Sequence, residues 1–185
     1  MLEESTKSEL LQLARETITL GTEAKKNNID LANYSPVLQE HGASFVTLKI
    51  QNRLKGCIGS LQASRPLVLD VSENAHAAAF QDTRFTPVTH SDLELLRISV
   101  SILSKPEKMN FKSEQDLIGQ LRPHEDGLIL QDNHHRGTFL PSVWESLGDP
   151  KEFLAQLKIK AGLEKNYWSD DLQIQRYTTE SFSEN

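Results

Sequence analysis

The sequence predicts an α+β protein, with mostly antiparallel sheets and flanking helices. Hairpin signals recur: apolar and polar residues alternate from Ala43 to Ile50 before a polar turn, and Gly127 to Gln131 is followed across a polar stretch by Thr138 to Leu140. Helical segments are scattered among these strands and do not alternate with them one for one, which disfavours a βαβ array. No repeat, low-complexity tract or linker divides the 185 residues. That length suits one domain with a sizeable core, or two small lobes sharing an interface.

Taken in order, Leu10, Leu13, Ala14, Thr17 and Ile18 fall on one face at helical spacing. They predict a first helix from residue 5 to about 26, with Ser5 or Ser8 as its cap. Leu11 and Leu20 widen the stripe, and Lys25-Lys26-Asn27-Asn28 closes it as a solvated turn that suits the helix dipole. Ser35-Pro36 and Gly42 punctuate a connection. A strand over 43–50, a turn at Gln51-Asn52-Arg53 and a return strand from Leu54 to Leu61 follow. Ser64-Arg65-Pro66 then predicts an N-cap and first turn, for a helix burying Leu67, Val68, Val71, Ala75, Ala78 and Ala79.

In the second half, Ser91 to Leu95 fits one helical turn, and Arg97 to Leu103 reads as a strand with Ile98, Val100 and Ile102 inward. Ser113-x-x-Asp116 is close to a capping box and predicts a helix ending near Leu121, before Arg122-Pro123. The strands 127–131 and 138–140 are expected to pair across a loop from Asp132 to Gly137. Pro141 to Trp144 starts a short helix. Asp149-Pro150-Lys151-Glu152 supplies a cap, a proline at N1 and a carboxylate at N3, with Gly162 placed as the C′ glycine. Leu172 to Thr178 reads as the last strand.

Composition narrows the function. Twenty Lys and Arg against 26 Asp and Glu give a formal charge of −6, and the pI is near 5.5 with a mean hydropathy of −0.46. An acidic chain without a basic run argues against nucleic acid as a partner, because phosphates need a cationic face. No stretch approaches 18 apolar residues, so no membrane span is expected. The start Met1-Leu2-Glu3-Glu4-Ser5 lacks a basic region followed by an apolar one, so no secretory signal is read and a cytoplasmic address is expected. One cysteine excludes an internal disulfide.

That cysteine lies in Leu54-Lys55-Gly56-Cys57-Ile58-Gly59, between two glycines. Glycines inside a strand mark positive φ or a close approach to the backbone. A thiol there is reachable if it faces a cleft and inert if it faces the core. Free cysteine is among the most buried residue types, so a structural role and a site role both stand. Asp82-Thr83-Arg84-Phe85 offers an acid and a base two apart, either a structural ion pair or a planar fork for a carboxylate or phosphate. His76, on the alanine-rich helix, is a candidate general base for a cysteine nucleophile, or a surface residue. Adjacent His134 and His135 point to opposite faces of a strand, and His124-Glu125-Asp126 lacks ligand spacing, so no metal site is expected. Phosphate-binding glycine loops and zinc-protease motifs are absent.

Together these segments resemble the AMMECR domain family, in its prokaryotic form similar to AmmeMemoRadiSam system protein A. Leu54-Lys55-Gly56-Cys57-Ile58-Gly59 is similar to the family hallmark L-R-G-C-I-G. Support comes from Ala78-Ala79 with Asp82-Thr83-Arg84-Phe85, from Ile98-Ser99-Val100-Ser101-Ile102-Leu103, and from Pro106-Glu107. Gly127-Leu128, Thr138-Phe139-Leu140-Pro141, Lys160-Ala161-Gly162-Leu163 and Trp168 follow in the family's order, so the resemblance covers roughly residues 8 to 182. Lys55 replaces the usual arginine and loses its bidentate fork, and Thr83 stands where proline is common.

The resemblance implies one AMMECR-like domain over 1–185, built as two unequal lobes with the hexapeptide near a groove between them. It implies no settled activity and no assigned cofactor. Memo-like and radical S-adenosylmethionine proteins are the partners that it suggests, by association. The expected site is Cys57 as a reactive thiol acting on a small molecule, with Arg84 and Lys55 as anion-binding groups, Asp82 orienting Arg84, and Gly56 and Gly59 lining the ligand. The rival expectation is a non-catalytic adaptor for those partners in which the hexapeptide is purely structural.

Overall fold

A computed structural model describes residues 2–184. Its elements run α1 (Glu4–Thr22), α2 (Pro36–Gln39), β1 (His41–Gly42), β2 (Ser44–Ile50), β3 (Arg53–Gly59), β4 (Arg65–Pro66), α3 (Leu67–Phe80) and β5 (Leu96–Leu103). There follow β6 (Glu107–Lys108), α4 (Glu114–Gln120), β7 (Gly127–Asp132), β8 (His135–Phe139), α5 (Pro150–Lys160), β9 (Gln173–Tyr177) and β10 (Thr179–Ser183). The fold is α+β. Contacts divide the chain into two compact units, the first reaching Leu103 and regaining the chain from Glu180, the second spanning Ser104–Thr179.

The first unit is a four-stranded sheet in the order β10-β5-β2-β3, with α1 and α3 packed on one face. The α1 stripe read from the sequence is buried, and it meets Val46 and Leu48 of β2, Val71 and Ala75 of α3, and Ile98 and Val100 of β5. Burying this apolar face against a matching sheet face is what stabilises both elements. Neither Ser5 nor Ser8 caps α1: the N-cap position is Glu3, with no side-chain cap bond, and the helix stops at Thr22 before Ala24 at φ 56°. Pro66 precedes α3 and does not sit in its first turn, because Arg65 and Pro66 pair with His41 and Gly42 as the short strand β4. The β2–β3 turn is tighter than expected. Ile50 pairs with Arg53, and Gln51 and Asn52 turn the chain at φ 49° and 62°.

The second unit is a sheet in the order β6-β9-β7-β8, backed by α4 and α5. Asp132 pairs with His135, so a two-residue turn replaces the loop expected up to Gly137. Exposed His135 and Arg136 read as loop residues, yet they are the first positions of strand β8. The α4 and α5 caps form as read: Ser113 accepts from the Asp116 N–H, and Asp149 from that of Glu152. At the other end of α5, Gly162 at φ 84° lets its own N–H reach Ile159 O and that of Leu163 reach Lys158 O. Trp144 stacks on Phe153 with ring centroids 3.7 Å apart and donates to Asp126 O.

Lys158 is fully buried, donating to Glu114 Oε1 at 2.5 Å and lying 5.7 Å from the Trp168 ring. Exchanging a buried ion pair for an apolar group of similar volume is often neutral or stabilising, whereas removing one partner strands the other. The Glu114 side chain is 41% exposed and rehydrates when its partner is removed, whereas fully buried Lys158 does not. Lys158→Met is therefore expected to hold or raise the urea midpoint and Glu114→Ala to lower it. A large loss in Lys158→Met would show the ammonium to be a net stabiliser.

The last strand read from the sequence is not the last. After β9, residues Thr179–Ser183 form β10 on the outer side of β5, in an arrangement that sets Ser183 and Ser181 hydroxyls on those of Ser99 and Ser101. A strand joined by hydroxyl pairs carries little hydrophobic alternation, and only Phe182 packs toward the core. Arg15 then ties down the chain end, forking onto Glu184 at 2.5 and 2.6 Å.

Candidate functional site

Cys57 lies on β3, at the edge of the first unit's sheet. Its neighbours Gly56 and Ile58 face the helices, and alternation along the strand sends its side chain to the opposite face. There the half-buried thiol has Thr47 Oγ1 at 3.3 Å, directly across the ladder. This face is hydroxyl-rich, with Thr47 also opposite Ser99, and Ser99 paired with Ser183.

An edge strand has main-chain groups with no neighbour to bond. At Cys57 the loop after α3 supplies one. The Asp82 carboxylate accepts the Cys57 N–H at 2.9 Å, and Arg84 Nη2 donates to the Cys57 carbonyl at 3.1 Å. Asp82 and Arg84 are joined by two more bonds, Nε to Oδ1 at 2.9 Å and Nη2 to Oδ2 at 2.7 Å. The pair thus grips both main-chain groups of one residue, as a further strand would. The Asp82 side chain is 4% exposed and that of Arg84 59%. The Arg84 fork, helped by the Cys57 and Arg84 N–H groups and working against burial, holds the Asp82 carboxyl far below the usual carboxylate range. Asp82 in turn raises Arg84 further.

The glycines are occupied by the protein itself. A Cβ on Gly56 would lie 2.0 Å from the Ala78 carbonyl oxygen, and one on Gly59 would lie 2.3 Å from the Phe45 ring and 2.5 Å from Ser44 O. The close approach expected from a ligand is thus made by α3 and by Phe45. Ala78 belongs to the alanine stripe of α3, so the small residues of helix and strand form one contact.

Cys57, Asp82 and Arg84 therefore form one hydrogen-bonded set. Lys55 turns to Thr86 Oγ1 at 3.0 Å and Asp92 Oδ2 at 3.9 Å. The Thr89 N–H and hydroxyl, with Lys55 behind them, hold Asp92 below the usual range. His76 makes no hydrogen bond to Cys57; it packs on Phe80 and lines a cavity beside α1. Sequence reasoning missed Thr47, Thr86 and Asp92. Thr47 follows from hairpin register only when the bulge described below is known. Among the described residues no group of three or more His, Cys, Asp or Glu could hold a metal ion. No helix there is long and apolar enough to cross a membrane.

Comparison with known proteins agrees with this arrangement of segments. A family profile described as AMMECR1 matches residues 11–182. A protein of Saccharolobus islandicus is 40% identical over 176 residues, covering 91% of this chain and 77% of the relative. One from Methanocaldococcus jannaschii is 34% identical over 160 residues, covering 84% and 80%. The crystal structure of an uncharacterized protein from Pyrococcus horikoshii superposes with a TM-score of 0.90 at 31% identity, over 100% of this chain and 94% of that one. The chain belongs to the AMMECR1 family.

Proposed function

We propose that the protein is an enzyme or enzyme component that handles a small molecule through the thiol of Cys57. One observation carries this reading: Asp82 and Arg84 fix the Cys57 main chain at both its N–H and its carbonyl, while Sγ is left on the sheet face away from the core. Asp82 and Arg84 are then positioning residues. The exposed side of the Arg84 guanidinium is available to an anionic group beside the thiol. The resemblance adds a pathway shared with Memo-like and radical S-adenosylmethionine proteins.

Iodoacetamide at pH 7 tests it, since the chain has a single thiol. Native protein is expected to take up one adduct several times faster than the chain unfolded in urea, and Arg84→Ala to slow the native rate. A native rate equal to or below the unfolded one sinks the reading.

The second reading, a binding module with a structural hexapeptide, has its own support. The space beside Gly56 and Gly59 is filled by protein, and Asp82 and Arg84 are satisfied by the main chain. In that case Cys57→Ser leaves partner binding and pathway output intact. Output lost with folding and binding preserved favours the enzyme.

A further inference from the structure

A cavity of about 510 Å³ opens between the second half of α1 and α3, on the helical side of the first unit. Three of its polar side chains are more than nine-tenths buried: Thr17, Ser72 and Asn74. Burying such groups is costly unless each finds a partner. The Asn74 amide nitrogen donates to Asp70 Oδ2 at 2.9 Å and to Ser44 O at 3.1 Å. A carboxylate and a carbonyl only accept, so they fix which end of the amide is which. Asn74 Oδ1 is left as the other end, and no donor among the described residues reaches it. Thr17 and Ser72 share one hydrogen bond of 2.9 Å, and Asn27 donates to Thr17 at 3.0 Å. Two hydroxyls joined by one bond retain one proton to give elsewhere.

The charges on the wall are unequal. Arg65 is held by buried Asp70 and by Glu73. Lys26 has no ion-pair partner among the described residues, and neither His76 nor the Gln81 side chain has a hydrogen bond there. These groups converge on a space of ligand size. One free cation, one unpartnered acceptor atom that a buried residue leaves open, and a hydroxyl donor describe the ligand they would take.

We propose that this cavity binds a small anion that also carries hydroxyl or amino groups, with Lys26 and His76 at the anionic group and Asn74 Oδ1 accepting from a hydroxyl or amine. The site is separate from Cys57, which projects from the opposite face of the sheet. It therefore goes beyond the thiol reading and stands or fails independently of it.

The test is a titration of 15N-labelled protein with glycerol 3-phosphate, with glycerate, and with neutral glycerol. Saturating shifts of the Ser72, Asn74, His76 and Gln81 amides are expected with one or both anions, and none at Cys57. Preference for the first probe identifies a phosphate ligand, and preference for the second a carboxylate. Lys26→Ala and His76→Gln should each weaken binding about tenfold, with folding checked from the same spectra, and Cys57→Ser should bind as the wild type does. Absence of saturable shifts with both anions, equal binding of glycerol, or unchanged binding in both cavity variants overturns the proposal.

Discussion

Gly56→Ala is expected to be the most damaging single substitution in the first unit. The added methyl would lie 2.0 Å from the Ala78 oxygen and 2.9 Å from its carbonyl carbon. Both are backbone atoms, so no rotamer change relieves the clash, and α3 must move off the sheet. Overpacking costs about 1–3 kcal/mol where side chains can adjust, so a loss of about 3 kcal/mol or more is expected here. Gly119→Ala is the control. It lies in α4 with nothing within 4 Å of the added carbon, and should be stabilising by about 0.5–1 kcal/mol on helix propensity alone. Urea midpoints of the two variants check both signs. A Gly56→Ala midpoint close to wild type would mean that helix and strand are not in the contact described.

Asp82→Ala is expected to rank second. It leaves the Cys57 N–H without an acceptor and Arg84 without its fork. Breaking a buried pair costs about 3–5 kcal/mol, but Arg84 is 59% exposed and rehydrates. About 2 kcal/mol is the expected loss, most of it from the stranded N–H.

The same residue gives a pH dependence of known sign. The folded carboxyl titrates far below its ordinary value of 3.8, so the folded state binds the proton less readily than the unfolded state. Its contribution is fully present above the ordinary value and drains as pH falls through that value toward the folded one. The stability gap between wild type and Asp82→Asn should therefore be widest near neutral pH and narrow from about pH 5 downward. Comparing the two proteins isolates Asp82 from Asp92, Asp116 and Glu152, whose carboxyls are also held low. A gap independent of pH would show that the carboxylate charge does not hold Arg84 and Cys57 together.

Much of the fold was legible in the residues because the signals are local. The stripe Leu10, Leu13, Ala14, Thr17 and Ile18 gives α1 its buried face. Ser113 and Asp149 cap α4 and α5, and Gly162 ends α5 by adopting a φ that few other residues tolerate. Strand β10 was not legible, since its partners are serines on β5 that meet it from 80 residues away or more. The cluster of Cys57, Asp82 and Arg84 was expected as a set, but its geometry was not. Two charges that suggest a ligand in the sequence also close over a strand edge.

By itself, the sequence determined the α+β class, the buried stripes of α1 and α3, and the caps of α4 and α5. The tertiary structure alone decided which way that cysteine points. A two-residue turn with regular pairing would set Cys57 across from Val46, facing the core. The register shifts by one residue after Leu48, setting Gly56 against Leu48 and Cys57 against Thr47. A single-residue slip moves every later side chain to the other face. It does so here where α3 presses its Ala78 carbonyl onto Gly56, a contact between segments 22 residues apart that no local pattern encodes.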